Sequence, residues 1–261
     1  MSTYWSDDHP RDAPPRFRLF GIGIGKTGTH SLAGLFSDRY RSAHEPDWRT
    51  LIRHCLDPDV ARRGDFFMSR PLIALAASWP WEMNASTLNY HLIPLLRRLA
   101  PDAGYVLTVR DPVGWLASIT RHESTRPRQS QPLWWEIRRF RFRPDLFPHR
   151  DYDRALDALG LFSIEGYLRY WRRHHANALA EVPDDRMAVV AVDDLDRPAT
   201  VARLAALAGI PVDTLRPDRG RQFVSDTPFD LFAHVERDRV AALAEEICGD
   251  LWRDLQRRSG D

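Results

Sequence analysis

The fold is limited first by the stretch Leu19-Phe20-Gly21-Ile22-Gly23-Ile24, followed at once by Gly25-Lys26-Thr27-Gly28-Thr29. Six residues are too few for a helix, and apolar side chains at every non-glycine position suit a strand buried on both faces. Beyond the loop, Ser31, Leu32, Leu35 and Phe36 recur at helical intervals, up to about Tyr40. The segment reads as buried strand, glycine-rich loop and helix. First-turn N–H groups and the positive end of the helix dipole, joined by the Thr27 and Thr29 hydroxyls, make such a loop a cradle for a phosphate-like anion.

Charge singles out one residue of that loop. The chain holds 37 Lys and Arg residues, and Lys26 is its one lysine. A lone lysine in an arginine-biased chain marks a position suited to a compact point charge rather than a planar fork, with chance placement as the plain alternative. The net charge of +1 gives no overall field for nucleic acid or an anionic membrane, so anion recognition must be local.

Spacing separates the kinds of loop this could be. A Walker A pattern needs glycine where the chain has Phe20, so the match fails by one residue. Gly23-Ile24-Gly25-Lys26-Thr27-Gly28 satisfies the dinucleotide pattern G-x-G-x-x-G, with Glu45 roughly where a ribose-binding acid would stand. A second motif, Tyr105-Val106-Leu107-Thr108-Val109-Arg110-Asp111-Pro112, begins as a β-branched strand and continues to Ser118. Asp111 can cap the following helix and Pro112 suits its first position. Arg110 then ends a strand and Ser118 lies nearly two turns along the helix, where guanidinium and hydroxyl could grip one anion; ordinary capping with a salt bridge is the alternative.

Together the two motifs resemble those of sulfotransferases that use 3′-phosphoadenosine 5′-phosphosulfate (PAPS). The loop is similar to that family's 5′-phosphosulfate loop, and Arg110 with Ser118 matches the spacing of its 3′-phosphate arginine and serine. The resemblance covers roughly residues 17 to 230 by order of elements. It implies PAPS as donor, adenosine 3′,5′-bisphosphate as product and no required metal. The donor-binding set it implies is Lys26, Thr27, Gly28, Thr29, His30, Ser31, Arg110 and Ser118, with Arg219 of Arg219-Gly220-Arg221 standing where the family has an Arg-Lys-Gly-like element. Lys26 and Glu45 are the implied catalytic pair, because some bacterial members carry a Glu-Pro, here Glu45-Pro46, whose glutamate is regarded as the general base. His44, adjacent to Glu45, is a competitor, and strand alternation would let only one of the two face the reacting group. His91 is a second, looser competitor, and Glu45 could instead simply cap a loop or pair with arginine.

The expected architecture is a three-layer α/β/α domain with a central, mainly parallel sheet, of P-loop-like sulfotransferase type, spanning residues 17–261 as one domain after a disordered tail of residues 1–16. Eight arginines from Arg121 to Arg150, interleaved with Trp134, Trp135, Phe140, Phe142 and Phe147, suggest an irregular lid whose aromatics line an acceptor pocket and whose arginines face donor or solvent; a plain solvated excursion is the alternative. Val240, Leu243, Ala244, Ile247, Cys248, Leu251 and Leu255 trace a helical core stripe. His174 and His175 read as solvated. Cys55 and Cys248 suggest neither a disulfide nor a zinc site. With negative mean hydropathy, no secretory apolar run and no apolar span, the expectation is a cytoplasmic enzyme without a membrane span or nucleic-acid partner. It would act on a small-molecule acceptor, with a homo-oligomer compatible. A kinase using Mg-ATP, a nicotinamide reductase and a non-catalytic nucleotide-binding module are the alternatives.

Overall fold

The computed structural model of the protein describes residues 2–4, 15–57, 70–126, 131–219 and 228–260. Its sheet runs in the order β1-β3-β4-β2-β5-β6, with β1 Ser2–Tyr4, β2 Leu19–Gly21, β3 Ser42–His44, β4 Met83–Ala85, β5 Gly104–Val109 and β6 Met187–Ala191. Five strands are parallel, and β1 joins the edge antiparallel to β3, pairing Thr3 with Ala43. Ser2–Tyr4 lies inside the segment read as a tail. Thr and Tyr favour extended backbone, and the β3 edge offers them a ladder.

The described α-helices are α1 Thr29–Leu35, α2 Trp48–Cys55, α3 Arg70–Ala77, α4 Ile93–Leu99, α5 Pro112–Ser124, α6 Pro132–Phe142, α7 Ala155–Ala158, α8 Ile164–Glu181, α9 Pro198–Ala208 and α10 Arg237–Gly260. None is long and apolar enough to cross a membrane. The chain divides into two compact units. The first comprises Met1–Val109, Asn177–Phe223 and Arg258–Asp261, and the second Arg110–Ala176 and Val224–Arg257.

In the first unit, helices flank the parallel sheet as the strand–helix alternation predicts. One face packs Leu19, Met83, Ala85, Val106, Ala188 and Val190 against α1 and α9, through Leu32, Leu35, Val201 and Leu204. The alternate residue Phe20 points to the opposite face and meets Tyr105 at 5.8 Å between ring centres. Burying each such leucine or phenylalanine contributes about 2 kcal/mol. α1 stops at Leu35 rather than near Tyr40. Phe36 and Ser37 turn their amides to Ala33 and Gly34, and Asp38 adopts φ 73°, so the helix closes in tight turns. α9 ends on Gly209 at φ 66°, a left-handed position that glycine takes without strain.

The second unit is helical. Phe142 and Tyr167 meet at 4.4 Å, Trp115 stands edge-on to Tyr167 at 6.2 Å, and Cys248 is buried, its thiol pushed up to about 12 by burial. Two expectations fail here. Arg138 and Arg141, expected to face donor or solvent, are buried, with the Arg138 Nη1 3.9 Å from the buried Glu123 carboxylate, which also accepts from Tyr167 Oη at 2.5 Å. Burial still holds the Glu123 carboxyl above its ordinary value. His174 and His175 are fully buried rather than solvated. Their positions fall on the inner side of α8, where the His175 ring lies 4.2 Å from Trp171 and its Nδ1 donates to the Trp171 carbonyl at 2.7 Å.

Candidate anion-binding site

β2 and β5 are adjacent and parallel, so their carboxyl ends, Gly21 and Val109, lie at one edge of the sheet. The lysine loop follows the first in the chain and Arg110 follows the second. In open α/β sheets this is the edge where ligands bind.

The loop is a closed turn. The Thr27 amide reaches the Ile24 carbonyl at 3.3 Å and its hydroxyl the same carbonyl at 2.6 Å, with Lys26 in the left-handed region at φ 71°. Gly28, at φ 89°, caps α1; a Cβ there would stand 2.6 Å from Leu195 Cδ1, so only glycine fits. Gly23 lies against β5, since a Cβ on it would fall 2.0 Å from Thr108 Oγ1. The Thr27 hydroxyl, assigned from the sequence to the anion, is fully buried and pairs with Thr108 Oγ1 at 2.8 Å. It shapes the loop from inside. On the outer side a Cβ at Gly25 would meet only Thr87 Cγ2, at 3.8 Å, and Lys26 is half-buried.

Glu45 and His44 lie beside this loop. Thr29 Oγ1 and His44 Nε2 are 3.2 Å apart, and the His30 and His44 rings 4.7 Å. The Glu45 carboxylate accepts from Ser86 Oγ at 2.6 Å and from the Thr87 amide at 3.0 Å, so Thr87 borders both the carboxylate and Gly25. Glu45 lies just past β3 at φ 52°, so strand alternation does not decide between it and His44. Ser86 and Thr87, which orient the glutamate, escaped the sequence reading because nothing in their local pattern marks them.

Burial lowers the pKa of His44, and burial together with the charge of His44 lowers that of His30 to about 4. Burial does the same to His175, also to about 4. A depressed histidine favours folding fully above the ordinary value of 6.5, and that contribution fades as pH falls toward the folded value. The urea midpoint is therefore expected to decline between pH 6.5 and 5, above the range of ordinary carboxylates. A midpoint constant across that interval contradicts neutral burial of these rings.

In the second unit Asp111 accepts from the Gly114 amide at 2.6 Å and Pro112 opens α5, as the motif predicts. Arg110 and Ser118 are both half-buried, and Trp171 Nε1 donates to the Arg110 carbonyl at 3.2 Å. A cavity of about 500 Å³ lies within this unit, walled by Trp135, stacked on Phe162 at 5.0 Å, and by Leu161, Arg139, His149 and Arg154. Trp135 thus lines a pocket of small-molecule size, whereas Phe142 belongs to the core.

Arg219, assigned from its sequence context to the 3′-phosphate, ends a short 3-10 turn, Pro217–Arg219. It pairs with Asp38 at 3.8 Å, beyond the carboxyl end of α1, while the loop precedes the amino end. Its neighbours Gly220 and Arg221 lie outside the described residues. His91 sits on a short 3-10 turn, Asn89–Leu92, edge-on to Tyr90 at 4.9 Å.

The sheet and the loop define a mainly parallel α/β protein with a closed, glycine-rich lysine turn after a central strand. No protein-family model and no curated protein matches the chain. Solved structures similar to it include bacterial sulfotransferases. STF1 of Mycobacterium tuberculosis shares 14% identity at a TM-score of 0.49, over 91% of this chain and 77% of that one. STF9 of Mycobacterium avium shares 17% at 0.47, over 93% and 78%. The sulfotransferase of Alicyclobacillus acidocaldarius shares 17% at 0.42, over 91% and 99%.

Proposed function

We propose that the protein is a sulfotransferase that moves a sulfuryl group from PAPS to a hydroxyl or amine of a small-molecule acceptor. The observation carrying this reading is the Lys26 turn, pinned from below by Thr108 and flanked by the oriented Glu45 carboxylate. An ammonium at a fixed turn beside a carboxylate is suited to a reaction that loads negative charge on a leaving phosphate while a proton leaves the attacking group. Glu45 would accept that proton as the acceptor oxygen or nitrogen bonds to sulfur. The bond from sulfur to the phosphate oxygen breaks, Lys26 stabilises that oxygen, and adenosine 3′,5′-bisphosphate departs. Arg110 and Ser118 are assigned to the 3′-phosphate on their spacing, and no residue so assigned calls for a metal. The aromatic walls of the Trp135 cavity suit a small-molecule acceptor, with residues 121–150 as its lid.

Thermal denaturation tests the donor. At a hundred times its dissociation constant, adenosine 3′,5′-bisphosphate stabilises a single site by about 2.7 kcal/mol. For a chain of this size the expected rise in Tm is roughly 5–10 °C. ATP and NADPH at the same concentration are expected to have smaller effects. An equal response to ATP rejects the reading.

A further inference from the structure

We infer that Thr108, on β5, is a positioning residue for Lys26. The inference rests on the proposed function for its ligand readout, and on geometry alone for the loop itself. The Thr27 hydroxyl carries one proton, and the Ile24 carbonyl 2.6 Å away can only accept, so that proton is committed. The remaining contact, 2.8 Å to Thr108 Oγ1, must then have Thr108 as donor. The relay runs from Thr108 to Thr27 to Ile24, and both threonines are fully buried, where an unmade hydrogen bond is most expensive.

The relay closes a turn that its own sequence disfavours. Lys26 is the third residue of the Ile24–Thr27 turn, and its φ of 71° is one that glycine or asparagine adopts more readily than a side chain with a long stem. The lysine therefore occupies this position because the surrounding contacts impose it. Thr108 supplies the contact from outside the loop, reinforced by Gly23, whose backbone passes directly over the same hydroxyl. β5 thereby sets where the ammonium stands.

Thr108→Val removes the donor with little change of shape and keeps a good strand former, and Thr108→Ser keeps the hydroxyl. Binding of adenosine 3′,5′-bisphosphate is expected to weaken roughly ten-fold in Thr108→Val, the scale of one lost buried hydrogen bond, and to stay within about two-fold of wild type in Thr108→Ser. Adenosine 3′-phosphate, which lacks the group held by the loop, is expected to bind wild type and both variants equally. Amide hydrogen exchange across residues 24–28 is expected to quicken in Thr108→Val alone. Equal losses for both nucleotides, a serine variant as impaired as the valine one, or unchanged exchange would each overturn the assignment. If wild type binds neither nucleotide, the proposed function fails, and the exchange measurement still decides the role of Thr108.

Discussion

Replacing Lys26 with alanine is expected to slow sulfuryl transfer by roughly a hundred- to a thousand-fold, the loss of about 3–4 kcal/mol seen when one preorganised donor is taken from a developing negative charge. The substitution is unusually clean. Alanine keeps a Cβ at the left-handed φ of 71°, so the turn carries much the same backbone strain and the ammonium alone disappears. Lys26→Arg is expected to recover little, because a planar fork does not deliver its charge to the same point. Single-turnover rates at saturating donor measure this directly, and a fall below three-fold in the alanine variant would remove Lys26 from the chemistry.

A methyl group at Gly23 is expected to do comparable damage by a different route. Its carbon would stand 2.0 Å from Thr108 Oγ1, 2.8 Å from Thr27 Oγ1 and 2.9 Å from the Thr108 carbonyl oxygen, and the last of these is backbone that can yield only by moving β5. Gly23→Ala should therefore lose about 3 kcal/mol of stability, read as a fall in the urea midpoint. Combining it with Thr108→Ala removes the nearest clash, so the pair is expected to be less destabilised than the two single losses added together. A Gly23→Ala midpoint equal to wild type would show that the loop does not approach the strand this closely.

Sequence carries most of this machinery where local rules act. An apolar run, a glycine-rich loop and a helical stripe are near-neighbour patterns, so β2, its loop and α1 were legible, as were the Asp111 cap and the opening of α5 by Pro112. What a side chain does once the chain folds was less so. Thr27 reads as an outward hydroxyl, yet its partner Thr108 is 81 positions away, a pairing that only the parallel register of β2 and β5 creates. Ser86 and Thr87 gain meaning only when β3 and β4 pair and bring Glu45 to them. His174 and His175 look polar among arginines, but the helix turns both into the protein's interior.

The antiparallel pairing of Ser2–Tyr4 with Ser42–His44 has a practical meaning for anyone handling the protein. Strand β1 covers the edge of β3, and β3 ends in the histidine bonded to Thr29. Truncating or crowding Ser2–Tyr4 would therefore uncover an adhesive backbone edge immediately beside the groups proposed to do the chemistry.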